Sequence, residues 1–204
     1  MNRAKVYLLV LSVLLFPVLM YAQHAHNAPA KAKKMTDAEK IAQAESASPP
    51  EIGKHATIMD WPAAKGEKSR ELRKGTNGWV CYPSTPEMLG AASGNDPMCL
   101  DKEWQEWAGA WEGHTAPKVS GTGIAYMLKG DKGASNTDPY AMGPTKDNHW
   151  VTSPPHVMVL YSDLKMLDAF PTDPMNGGAW VMWKGTPYAH LMVPVSTTHM
   201  AHMK

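Results

Sequence analysis

Beyond Glu51 this chain cannot run far in one direction. It carries 16 glycines and 17 prolines in 204 residues. The pairs Asp138-Pro139 and Asp173-Pro174 each interrupt whatever precedes them, because a residue before proline is driven out of the helical region. What fits between such breaks is short strands. Ala56-Thr57-Ile58-Met59 and Trp79-Val80-Cys81-Tyr82 are the first two, with turn chemistry at Gly75-Thr76-Asn77-Gly78 between them. Gly123–Leu128, Val157–Tyr161, Ala179–Trp183 and Ala189–Val195 follow. Ala179-Trp180-Val181-Met182-Trp183 is apolar on both faces, the pattern of an inner strand. The expected fold is α+β: a mostly antiparallel sheet with a few peripheral helices.

Two helices are predicted. Thr36-Asp37-Ala38-Glu39 is a capping box, in which the Thr36 side chain and the Glu39 carboxylate each accept the other's backbone N–H. The helix it opens should stop before Pro49-Pro50, and its apolar face (Ala38, Ile41, Ala42) is thin enough to suggest light packing. Asp101 caps a second helix running to about Glu112, with Glu103 near its positive end. Trp104, Trp107 and Trp111 share one face of it, which predicts core. An exposed aromatic platform for a glycan or envelope component is the alternative.

The first residues carry a different signal. Arg3 and Lys5 precede an uncharged, almost wholly apolar run from Val6 to Tyr21, and Tyr21-Ala22-Gln23-His24 then turns small and polar. This is the layout of a secretory signal with cleavage near Ala22. The run falls short of the ~20 residues of a spanning helix and contains Pro17. The expected organisation is a signal peptide at 1–22, a flexible leader at 23–35, one globular domain at 36–195, and a loose His/Met tail at 196–204. The mature protein would be soluble, without a transmembrane segment, in the periplasm or the extracellular medium. Without Arg3 and Lys5 the 20 basic residues become 18 against 19 acidic, a net charge near −1. Lys31, Lys33 and Lys34 form the one dense basic cluster, in the leader, so nucleic acid is not an expected partner. Export also favours pairing of the two cysteines, Cys81 and Cys99, as a disulfide. With no Cys-x-x-Cys pair, a thiol-redox role is not expected.

Four stretches are familiar together: Arg73-Lys74-Gly75-Thr76-Asn77-Gly78-Trp79, Asp96-Pro97-Met98-Cys99, Ser135-Asn136-Thr137-Asp138-Pro139-Tyr140, and Met182-Trp183-Lys184-Gly185-Thr186-Pro187-Tyr188-Ala189-His190. They resemble a family of secreted bacterial hypothetical proteins, over about Ile41 to Val195. The resemblance implies an exported single domain and brings no activity with it.

Enzyme motifs are scarce. There is no Gly-x-Ser-x-Gly elbow, His-Glu-x-x-His pair or phosphate-binding P-loop. Ser162-Asp163-Leu164-Lys165 matches Ser-x-x-Lys by letter only, without the companion motifs. Histidine gives the sharper pattern. His156-Val157-Met158 and His190-Leu191-Met192 repeat His-x-Met, each at a strand start, where residues i and i+2 share a face. Imidazole suits copper and thioether selects soft Cu(I), so His156, Met158, His190 and Met192 are the candidate metal ligands. The ordinary alternative is core methionines beside hydrogen-bonded strand-end histidines. The chain thus reads as a non-enzymatic binding domain, with copper the candidate ligand. A small hydrolase using His156 or His190 as general base ranks below it, because no nucleophile accompanies either histidine. N-terminal sequencing of the soluble protein from its native host should find a start near Gln23. Membrane-associated protein beginning at Met1 would mean a retained anchor.

Overall fold

A computed structural model describes residues 35–64, 66–86 and 95–196, together with the backbone of a short strand at 201–202. The expected signal peptide and nearly all of the leader lie outside the described residues, as does most of the expected tail. Met35 to Lys204 form one compact unit. Among the described residues no helix is long and apolar enough to cross a membrane.

The capping box forms as expected. The Glu39 amide donates to Thr36 Oγ1 at 3.2 Å, and the Thr36 amide donates to the Glu39 carboxylate at 2.7 Å, opening α1 (Asp37–Glu45). Pro50 then starts a short second helix, α2 (Pro50–Gly53), where its missing N–H costs nothing. Strands β1 (Thr57–Asp60), β2 (Arg70–Arg73), β3 (Val80–Tyr82) and β4 (Met98–Leu100) lead into α3 (Lys102–Glu112). Asp101 caps α3 by accepting the Trp104 N–H at 2.9 Å, and its other oxygen accepts the Ile124 N–H. One carboxylate therefore ties the helix start to the adjoining strand. The rest is β5 (Gly123–Met127), β6 (Ala134–Ser135), β7 (Trp150–Thr152), β8 (His156–Leu160), a 3-10 helix (Leu164–Ala169), β9 (Trp180–Met182), β10 (His190–Pro194) and β11 (Ala201–His202).

Eight strands make one sheet in the order β2-β1-β3-β4-β5-β8-β10-β9. All its pairings are antiparallel except β1 with β3. The α+β expectation holds. Three details differ from the sequence reading. β1 and β3 do not form a simple hairpin across the Gly75–Gly78 turn; β2 lies between them in sequence and pairs on the outer side of β1. β9 is not an inner strand but the last in the sheet. It is buried on both faces because core covers both, and its outward edge is occupied by loop backbone: the Val181 amide donates to the Pro171 carbonyl and the Trp183 amide to the Asn136 carbonyl. Part of the expected loose tail is paired, since β11 joins β7 and β6 in a second, three-stranded sheet.

The main sheet buries both faces. One holds Leu100, Ala125, Met127, Met158, Leu160, Trp180, Met182 and Met192 beneath Trp104 and Trp107 of α3. Gly123 makes this packing possible, because a Cβ there would lie 2.9 Å from that of Glu103 on α3. The other face is covered at one end by α1, where Ala44, Ala47, Ile58, Cys81 and Cys99 are fully buried. The thin apolar seam of α1 is thus packed tightly rather than lightly. At the other end, Leu167 of the 3-10 helix covers Val181, Ala189 and Leu191.

Cys81 and Cys99 lie directly opposite each other on β3 and β4 and form the expected disulfide. It closes a loop of 18 residues' separation, which in the chain-entropy account is worth about 3 kcal/mol. The double variant Cys81→Ala/Cys99→Ala should unfold in urea with stability reduced by about that amount. A reduction below ~1 kcal/mol would show that the bridge does not constrain the unfolded chain.

Candidate functional site

Both histidines of the His-x-Met repeats are in the core: His156 is 0% and His190 1% exposed. An imidazole tolerates such burial only if its polar atoms are used or neutral. Each Nδ1 meets the backbone carbonyl two residues earlier in the chain, His156 with Pro154 at 2.7 Å and His190 with Tyr188 at 3.0 Å. A carbonyl can only accept, so Nδ1 carries the hydrogen and Nε2 is a bare lone pair. Neither Nε2 has a partner. Among the described residues, the other buried side-chain polar atoms without one are the indole nitrogens of Trp104, Trp107 and Trp150, which can only donate, and the Ser153 hydroxyl.

Strand register fixes which side chains neighbour these imidazoles. Met158 of β8 lies opposite Met192 of β10. His156 therefore sits one pleat to one side of this pair and His190 one pleat to the other, all on the same face. They are four residues apart along the strand direction, ~13 Å. Each histidine also has a methionine beside it on its outer neighbour, Met127 of β5 opposite His156 and Met182 of β9 opposite His190. The layer thus places two imidazoles among four thioethers, all six side chains in the buried core. The sequence reading named His156, Met158, His190 and Met192. It missed Met127 and Met182, which have no histidine near them in sequence and join the layer only through strand pairing.

Aromatic side chains close the layer. The rings of Trp104, Trp107 and Trp183 stand edge-on to His190, with centroids 5.2, 5.8 and 5.1 Å away. Trp183 reaches this position through an uncommon backbone conformation, φ 56°. It is held there by its amide donating to the Asn136 carbonyl and its indole N–H donating to the Ser135 carbonyl. Its ring then stacks parallel to Trp107 at 5.7 Å. Trp104 and Trp107 are 2% and 7% exposed, and the half-buried Trp111 stacks on Tyr140, so the greater part of this face of α3 is core. A surface cleft of about 1130 Å³ lies elsewhere, lined by residues that include Lys146, His149, Asp173 and Lys184; neither His156 nor His190 borders it.

Burial keeps both imidazoles neutral. It pushes His190 down to about 4, a shift that the Tyr188 carbonyl opposes and a charge on His156 would reinforce. His156 is also lowered by burial, against the opposing pull of the Asp131 carboxylate and the Pro154 carbonyl. The donor set carries no formal charge: both cysteines are in the disulfide, and among the described residues no three or more His, Cys, Asp or Glu side chains gather. No protein-family model, curated protein or solved structure matches this chain, so its site is read from its own geometry.

The depressed histidines set an acid limit on the metal-free protein. Between an unfolded value near 6.5 and a folded value of about 4, the unfolded chain binds more protons at His190, so stability falls as pH drops through that window. The loss from His190 should be on the order of 3 kcal/mol. Urea unfolding of the protein and of His190→Phe at pH 7, 5.5 and 4.5 checks this. The variant should lose less stability on acidification than the parent; equal losses would mean that His190 is not buried neutral.

Proposed function

We propose that this chain is an exported, non-enzymatic binding domain whose ligand is a soft transition-metal ion, foremost Cu(I), held in the histidine–methionine layer. The observation that carries this reading is the pair of bare, buried Nε2 lone pairs. Each belongs to a ring that strand register sets among methionines, and each ring's tautomer is fixed by a backbone carbonyl. That carbonyl contact is the outer-shell arrangement a metal-ligating histidine commonly has. Imidazole suits copper among several metals, and thioether selects the soft Cu(I). Charge favours a monovalent ion as well. The Born cost of desolvation scales with the square of charge, so an uncharged buried site penalises a divalent ion roughly four times as heavily as a monovalent one of equal size. Zinc and Cu(II) favour three or more imidazole, thiolate or carboxylate donors, and this layer supplies two imidazoles.

The hydrolase reading draws no support from the layer. A general base has to reach a proton on a substrate, and both imidazoles are buried in the core and neither borders the cleft.

The test is anaerobic competition of the purified chain against a Cu(I) chelator. His24, His26, His199, Met200, His202 and Met203 are first replaced by serine so that terminal ligands do not contribute. This protein should take Cu(I) from the chelator. His156→Ala/His190→Ala in the same background should bind at least about 100-fold more weakly. Met158→Leu/Met192→Leu should lose affinity while costing under ~1.5 kcal/mol of stability, since it conserves volume. Equal competition by all three proteins would end the proposal.

A further inference from the structure

Pairing Met158 with Met192 has a consequence beyond the existence of a layer. In an antiparallel pair, the two-fold axis perpendicular to the sheet at that pair exchanges β8 with β10. It carries His156 onto His190 and Met158 onto Met192. It also carries the outer neighbours onto each other: Met127 opposite His156 maps onto Met182 opposite His190, and Ala125 opposite Met158 maps onto Trp180 opposite Met192. Even the backbone carbonyls on Nδ1 correspond, Pro154 to Tyr188. The chain has built the same half-site twice.

Resting on the soft-metal reading above, we infer that the layer holds two monovalent soft cations, one at each histidine, rather than one ion shared between them. A shared ion would need imidazoles that start ~13 Å apart along the strands to meet over the central pair. A thioether is much nearer to each. Side chains directly opposite on paired strands have Cβ atoms ~5 Å apart, and residues i and i+2 on one strand lie ~7 Å apart. His156 thus has Met127 beside it and Met158 along its own strand, and His190 has Met182 and Met192 in the same positions. Met158 and Met192 lie between the half-sites and are within reach of either ion. Two neutral-ligand sites at that spacing repel each other through their ions, which makes the second ion about tenfold weaker than the first at an effective dielectric near 20. The half-sites differ in their surroundings: three indole rings surround His190, and Trp180 stands where the other half has Ala125. An ion there reports itself through tryptophan emission.

Native mass spectrometry with Ag(I), and with Cu(I) under anaerobic conditions, counts the ions on the full chain carrying the six serine replacements. Two ions per chain are expected at saturation, filling in separated steps. Met127→Leu should reduce the count to one and keep the change in tryptophan emission. Met182→Leu should also reduce it to one and lose most of that change. Both conserve volume, and thermal melting of the metal-free variants identifies any that fail to fold; Met127→Gln and Met182→Gln are then the second pair. A single ion at saturation, abolished by either His156→Ala or His190→Ala, overturns the two-ion inference and leaves the soft-metal reading intact. No ion bound by the parent overturns both.

Discussion

Met158 facing Met192 is the pairing on which the rest of the structure turns. Side chains alternate strictly across a strand, so moving β10 by one residue against β8 would send His190 and Met192 to the opposite face. There they would meet Leu167 and the 3-10 helix, and Leu191 would take their place among the tryptophans. Register is specified because both faces of this region are buried. The same registration decides which methionines flank the histidines. Two neighbouring strands, β5 and β9, each contribute a methionine through it, with no histidine nearby in sequence to mark either one.

A second constraint sits at Asn136. Its amide donates to the His149 carbonyl, its carbonyl accepts the Trp183 amide, its side-chain oxygen accepts the Trp180 indole N–H, and its side-chain nitrogen donates to the Thr172 carbonyl. Four hydrogen bonds from one buried residue join the small sheet to the last strand of the large one. They hold Trp183 in a left-handed backbone conformation that an unsupported tryptophan would leave at a gain on the order of 1 kcal/mol. Substituting alanine at Asn136 would strand the Trp180 indole and the Thr172 carbonyl together. The aromatic wall around His190 therefore depends on a residue that touches neither the histidine nor its methionines.

Much of this was legible before any coordinates. The capping box, the Asp101 cap, strands β5, β8, β9 and β10 and the α+β class all follow from local chemistry acting over a few residues, while the disulfide followed from export and the pairing of two cysteines. What escaped was non-local. β2, with Arg70, Glu71 and Arg73, has no apolar alternation to announce it. β4, β6 and β7 are two or three residues long, too short for a period to register. β9 looked central because apolar content on both faces reports coverage, and a terminal strand roofed by loop and helix is covered equally well. At the site, the two His-x-Met repeats were visible, but the antiparallel register that sets the histidines on opposite sides of a methionine pair was not. Met127 and Met182 were hidden for the same reason.

The two ends of the large sheet are worth considering together. At one, β9 spends its outward amides on the Pro171 and Asn136 backbone. At the other, β2 presents Arg70, Glu71 and Arg73 beside a β-bulge in β1, and Arg70 is held by Asp37 and Asp60. The first margin spends its backbone on loops, and the second meets an approaching strand with charged side chains and a bulge, the features that discourage edge-to-edge pairing. The two ends of one sheet thus guard against lengthening by different means, one by occupying its hydrogen bonds and the other by charge and shape.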